Sequence, residues 1–210
     1  MKTWKDITLR QFNKIQDLLQ EVDEYTTLNL IDIIYDIDSA NLPAMEVMSK
    51  YANSLDFLTT PIPTDAKLKE TYIINNREYD SNINLTQMTT AQFVDYQNYS
   101  KLNPVDISKC LSVFVVPKSH TYNDGYDLQQ VQDDIKDLDM ETINTLAFFF
   151  KKLYVLLLEI TLICLTQETK QMDIPQETKQ EILDNLKRID LANLEYSPTS
   201  YHFANLPTIR

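Results

Sequence analysis

Met140-Glu-Thr-Ile-Asn-Thr-Leu-Ala-Phe-Phe-Phe150-Lys-Lys-Leu-Tyr-Val-Leu-Leu-Leu-Glu-Ile160-Thr-Leu-Ile-Cys-Leu-Thr-Gln167 is the segment around which the rest of the chain has to be arranged. It contains no proline and no glycine, and from Leu146 to Leu165 it is apolar almost all round. A helix that is hydrophobic on every side is a buried one, so this stretch predicts a long central helix, capped at its start by Asp137 or Asp139. A membrane span needs about 20 predominantly apolar residues with few or no charges. Here Lys151, Lys152 and Glu159 break the run, and its longest purely apolar piece is Leu153 to Leu158, so no membrane span is expected.

Working back toward the N-terminus, Asp127 to Leu138 reads as a polar amphipathic helix, and Lys118 to Asp127 as a loop. Val113-Phe-Val-Val-Pro117 is β-branched and ends in proline, which fits either a helix continuation or a short strand. Asn103-Pro104 opens a helix to about Val113, with proline in the first turn. Thr89-Thr-Ala-Gln92-Phe93 is a capping box before a helix that runs to about Lys101. The same Thr-x-x-Gln-Phe pattern occurs at Thr8 to Phe12, starting a helix to about Val22, with Ile7 and Phe12 placed as a hydrophobic staple. The repeat reads as one capping solution used twice. Between the two lie a helix over Leu28 to Ile37 and another from Pro43, with Met45, Met48, Tyr51, Ala52 and Leu55 at inward spacing, stopped by Thr59 to Pro63. Tyr72 to Tyr79 places β-favouring residues either side of Asn75-Asn76, a pair that tolerates positive φ. This predicts a hairpin ending near Ile83. Toward the C-terminus a helix is expected from Pro175 to Ala192, with Asp173 and Gln176 spaced as a capping box, followed by an extended arm over residues 196–210. The expected fold is mainly α: a helical bundle with one small β-hairpin near residues 70–83, organised as one domain over residues 1–195 plus the arm.

Composition narrows the function. Nineteen Lys and Arg against 31 Asp and Glu give a net charge of −12. Such a surface repels phosphate backbones, and the densest basic spots are the pairs Lys151-Lys152 and Lys187-Arg188, so direct nucleic-acid binding is not expected. The single glycine, Gly125, leaves no way to write a P-loop or a dinucleotide fingerprint. Cys110 and Cys164 both sit among apolar neighbours and read as buried free thiols rather than a disulfide. Met1 to Phe12 lacks an apolar signal core, so secretion is not expected.

Few residues suggest chemistry. Asp32 with Asp36, or Asp133, Asp134 and Asp137, would serve as an acid–base pair if their environment perturbed them, but they read first as solvated faces of helices whose neighbours offer no partner. Cys110, Cys164, His120 and His202 are too scattered for a zinc site and carry no nucleophile signature. Asp124-Gly-Tyr-Asp127 has a fragment of a calcium loop without the alternating ligands or the distal glutamate, and reads as a glycine turn flanked by aspartates. No catalytic residue, metal or cofactor is therefore expected. The aromatic mass at Phe148, Phe149, Phe150 and Tyr154 reads as core or as a subunit interface, and Tyr201 and Phe203 in the arm read either as anchors on a neighbouring chain or as part of a tail that packs on its own domain or frays.

The order of Tyr72 to Tyr79, then Met88 to Asp95, then Val115 to Lys118 and Tyr122 to Asp127, resembles small helical proteins of tailed phages of Bacteroidetes bacteria, including the crAss-like group. The resemblance spans about residues 70–160. It implies a non-enzymatic virion structural or cargo protein, or a tail-assembly factor, located in the host cytoplasm during assembly or in the particle. Its partners would be other virion or assembly proteins, with a homo-oligomer among the options. The competing expectation is a small intracellular enzyme with a carboxylate or cysteine site.

Overall fold

A computed structural model describes residues 1–63, 67–81, 88–102 and 104–187, with side chains described outside 151–161 and 187. The fold is mainly helical with one small antiparallel sheet, as the sequence predicts.

The chain begins with a 3-10 turn, Trp4–Asp6, that buries Trp4. The indole N–H donates to the Thr60 carbonyl at 3.0 Å, and its ring meets Phe57 and Phe12 edge-on. Helix α1 (Leu9–Leu18) starts at Thr8 with the predicted capping box, and Ile7 and Phe12 are both buried. It stops short of Val22, which is exposed, because Asp23 forms a local turn instead. The Asp23 carboxylate accepts from the Tyr25 amide and the Thr26 hydroxyl, and that hydroxyl accepts from the Asp23 amide. Helix α2 (Thr26–Tyr35) ends on Asp36 in the left-handed region. Helix α3 (Ala44–Tyr51) tightens into a 3-10 segment, Ala52–Thr59. Its inward face carries Val47 and Leu55, with Met48 and Tyr51 half-buried. Met45, expected inside, is 83% exposed: it stands about 200° round the helix from Val47.

Strands β1 (Thr71–Ile74) and β2 (Arg77–Ser81) form the predicted hairpin, with Asn75 and Asn76 at φ 50° and 61°. Both turn residues in the left-handed region define a two-residue turn whose twist matches the strands. The hairpin's expected continuation to Ile83 lies outside the described residues. The Val113–Pro117 run resolves as a strand: β3 (Val115–Pro117) pairs antiparallel with β2, Ser81 opposite Val115 and Tyr79 opposite Pro117, giving the order β1-β2-β3.

Helix α4 (Thr90–Ser100) starts from the second capping box. Helix α5 (Ile107–Ser112) starts later than Pro104, because the Asp106 carboxylate accepts from the Lys109 amide and fixes the cap there. Helix α6 (Leu128–Ile135) is capped by Asp127, and α7 (Met140–Gln171) by Asp139. Helix α8 (Gln176–Lys187) packs back along α7. Residues 188–192 of the expected last helix, and the arm, lie outside the described residues.

The core joins the two ends of the sequence. The Leu9 amide donates to the Leu138 carbonyl and the Met140 amide to the Ile7 carbonyl, so the entry to α1 and the entry to α7 are clamped side by side. Ile7, Leu9, Ile15, Ile31, Ile135, Ile143 and Leu146 fill the space between them.

Candidate functional site

The acidic residues of α6 are engaged by the hairpin. Asp134 is 2% exposed. Its Oδ2 accepts from the Arg77 guanidinium at 2.9 Å and from the Tyr79 hydroxyl. Its Oδ1 accepts from Asn75 Nδ2 and Gln130 Nε2, each at 3.0 Å. Asn75 Nδ2 also donates to Asp137 at 2.9 Å, and Asp137 pairs with Arg10 at 2.8 Å. The network therefore ties α1, the hairpin turn and α6 together. This corrects the expectation that these carboxylates lack partners: Gln130 on the same helix reaches Asp134 and Lys136 pairs with Asp133, while Asn75, Arg77, Tyr79 and Arg10 lie 55 or more residues away in sequence, on elements that only the fold brings near.

The electrostatics follow from that geometry. Burial pushes the Asp134 carboxyl up, and hydrogen bonds from Tyr79, Asn75, Arg77 and Gln130 outweigh it, holding the group below the usual carboxylate range. Burial likewise opposes, and Arg10 and Asn75 overcome it, at Asp137. Burial and the adjacent Asp134 push the Tyr79 hydroxyl up to about 12. A catalytic base needs a free lone pair facing substrate and a value near the working pH. Asp134 has both oxygens occupied and is shifted the wrong way, so the cluster acts as a latch on the hairpin. Asp32 is a cap: its carboxylate accepts from the amide and hydroxyl of Ser39.

The thiols divide. Cys110 is buried, and its pKa is pushed up to about 12 by burial and the nearby Asp106, which leaves it a poor nucleophile. Cys164 is exposed, contrary to expectation, because its stretch of α7 extends past the core. Both are free. Among the described residues no group of three or more His, Cys, Asp or Glu is placed to hold a metal ion. In the loop before α6, Gly125 takes φ 73° and the Asp127 carboxylate is used on the amides of Gln129 and Gln130. A second polar contact lies beside it: the Tyr122 hydroxyl donates to Asp95 at 2.8 Å, and burial and that carboxylate raise its pKa.

The expected interface aromatics separate as well. Phe150 is 2% exposed and stacks on Phe114 with centroids 4.1 Å apart, so it belongs to the core and is not available to a partner. Phe149 is half-buried against the core, and Phe148 is 41% exposed. The Tyr154 side chain, and Tyr201 and Phe203, lie outside what the structure describes. Further along α7, beyond its anchored first turns, Ile163 is 57% and Leu165 42% exposed. With 32 residues, α7 is about 48 Å long, more than the roughly 30 Å across a small domain. Its distal half therefore runs past the core, accompanied by α8. Among the described residues no helix is long and apolar enough to cross a membrane.

No protein-family model matches the chain, and no curated protein or solved structure matches it.

Proposed function

We propose that this chain is a phage virion or assembly protein that acts by binding other proteins, and that the distal half of α7 is its contact element. The observation that carries the reading is the set of large apolar side chains, Ile163, Leu165 and the C-cap residue Met172, held in solvent on a helix that outruns the core. Apolar surface concentrated on one projecting element is what an interface needs, whereas single exposed residues are ordinary. The acidic balance, at −12, keeps such a protein off packaged nucleic acid. The engaged carboxylates around Asp134 and the high pKa of Cys110 give no support to the enzymatic alternative. The phage assignment rests on the resemblance over residues 70–160.

The test is quantitative mass spectrometry on purified particles and on assembly intermediates from cells infected with the phage that encodes the chain. Peptides of this protein at a fixed ratio to the major capsid or tail protein are expected in one of the two fractions. Absence from both overturns the assignment.

A further inference from the structure

We propose that the free edge of β1 is a docking edge whose occupant is β1 of a second copy of this chain, running antiparallel about a two-fold axis at Tyr72. The proposal makes no use of α7. It goes beyond the reading above by naming a second contact element, its partner and its register.

The edge follows from the ladder. The β1–β2 register runs from Thr71 opposite Asp80 to Ile74 opposite Arg77. One step further out, the Ser81 amide donates to the Glu70 carbonyl at 2.9 Å, which makes Glu70 and Ser81 a hydrogen-bonded pair. Bonded and non-bonded pairs alternate along an antiparallel ladder, so Tyr72 and Ile74 bond to β2, while the amides and carbonyls of Thr71 and Ile73 point away from it. β1 is an end strand of the sheet, and among the described residues no hydrogen bond reaches those backbone groups from the other side. The two side chains stand toward solvent: Thr71 is exposed, and Ile73 is 72% exposed. Natural proteins blunt an open edge with lysine, proline or a bulge. Neither outward residue is charged or a proline, and the register is unbroken. An edge of this kind accepts another strand.

Register and charge select the occupant. Bonds form across the edge only where outward residues oppose outward residues. With Thr71 opposite Ile73 of the second copy, and Ile73 opposite its Thr71, every outward amide and carbonyl of both strands is used. Sliding one strand to set Thr71 on Thr71 calls on the Lys69 amide, which already donates to the Tyr72 hydroxyl at 3.1 Å. Sliding it the other way, to set Ile73 on Ile73, brings Lys69 opposite Arg77, and like charges in that position are unfavourable. In the register centred on Tyr72, Lys69 meets Asn75 and Glu70 meets Ile74, and the β-branched Thr71 and Ile73 pair on the solvent side. The strand is therefore its own complement, as an isologous interface requires. The charges around the edge also balance, which lets two chains of net −12 approach there. Lys118 pairs with Glu78 and Arg77 with Asp134, while Lys67 and Lys69 offset Glu70 and Asp80.

The experiment is oxidative cross-linking of the full chain in a Cys164→Ser background, where the remaining native thiol, Cys110, is buried. Thr71→Cys and Ile73→Cys are oxidised separately and as an equimolar mixture. Directly opposed residues have Cα atoms about 5.5 Å apart, within disulfide reach, whereas each position is only diagonal to its own copy. The mixture is expected to give about tenfold more linked dimer than either variant alone. Light scattering over a concentration series is expected to show wild type dimerising and Ile73→Pro monomeric, because proline removes the outward amide of residue 73 and leaves the β1–β2 bonds in place. Thermal unfolding reports whether Ile73→Pro is folded. If it is not, Ile73→Lys decides: it keeps the amide, charges the edge and is expected to weaken the dimer about tenfold. A mixture that links no more than the single variants, or a wild type that stays monomeric at the highest concentration, overturns the proposal. A dimer indifferent to both changes at residue 73 overturns it too, and moves the interface to another surface, the distal half of α7 first. The virion or assembly assignment stands or falls separately on the particle composition.

Discussion

Gln92 makes two demands on one side chain. Its Oε1 accepts from the Thr89 amide to close the capping box, and its Nε2 donates to the Val113 carbonyl at 2.9 Å, a buried bond from a buried side chain. Gln11 repeats the arrangement, accepting from the Thr8 amide and donating to the Ile33 carbonyl at 2.8 Å in a half-buried setting. Each glutamine therefore pins the start of one helix to the end of the next, α1 to α2 and α4 to α5. The matching Thr-x-x-Gln-Phe segments are a shared solution for joining helix pairs, one step beyond capping. Glutamate serves a capping box as well as glutamine does, but it cannot donate, and it would set a carboxylate against a carbonyl. Gln92→Glu is expected to destabilise by about 2–3 kcal/mol and Gln11→Glu by about 1 kcal/mol, the difference reflecting burial. Urea unfolding of the two variants checks this. Equal and negligible losses would mean that the glutamines only cap.

At the scale of elements, the hairpin turn assigns different duties to two adjacent asparagines. Both hold positive φ, but Asn75 also bridges Asp134 and Asp137, while Asn76 has no hydrogen bond from its side chain among the described residues. Asn76→Gly is expected to stabilise the fold by about 0.5 kcal/mol, since glycine takes this backbone conformation without a Cβ penalty. Asn75→Gly is expected to cost about 1–2 kcal/mol, because two carboxylates lose a donor. Thermal melts that shift in opposite directions would bear this out. The turn itself was legible, because positive φ at Asn-Asn is a local property. So were the two capping boxes and the long helix, which depend on neighbours within four residues. What the sequence did not disclose was distant. Nothing near Asn75 or Tyr79 signals a carboxylate 55 to 62 residues away, nothing near Val115 signals that it completes the sheet, and the exposure of Met45 and Cys164 depends on what packs beside them. The aromatic run follows the same rule: Phe148, Phe149 and Phe150 look alike in sequence, and their different burial is set by where the core ends along α7.

On the scale of the whole molecule, the latch around Asp134 makes stability depend on pH in a definite direction. An unfolded aspartate titrates near 3.9, whereas Asp134 and Asp137 are held lower in the fold, so at moderately acid pH the unfolded chain binds protons that the folded one does not. Their contribution is accordingly complete above about pH 5 and is lost as pH falls through 4 toward the folded values. Falling pH also reduces the negative charge that gives the chain −12, which by itself relieves repulsion and works in the opposite direction. The two effects are separated by Asp134→Asn. That variant keeps an oxygen for the Tyr79 hydroxyl but cannot titrate, and it leaves the surface charge nearly unchanged. Wild type is expected to hold its unfolding free energy from pH 7 to 5 and lose it steeply below 4. Asp134→Asn is expected to start lower, by about 2 kcal/mol, and to lose less over the same interval, so that the two curves converge in acid. Urea unfolding at pH 7, 5, 4 and 3.5 measures both. Parallel curves would mean that the acid sensitivity belongs to the surface as a whole, and that the union of α1, the hairpin and α6 does not depend on the ionised Asp134.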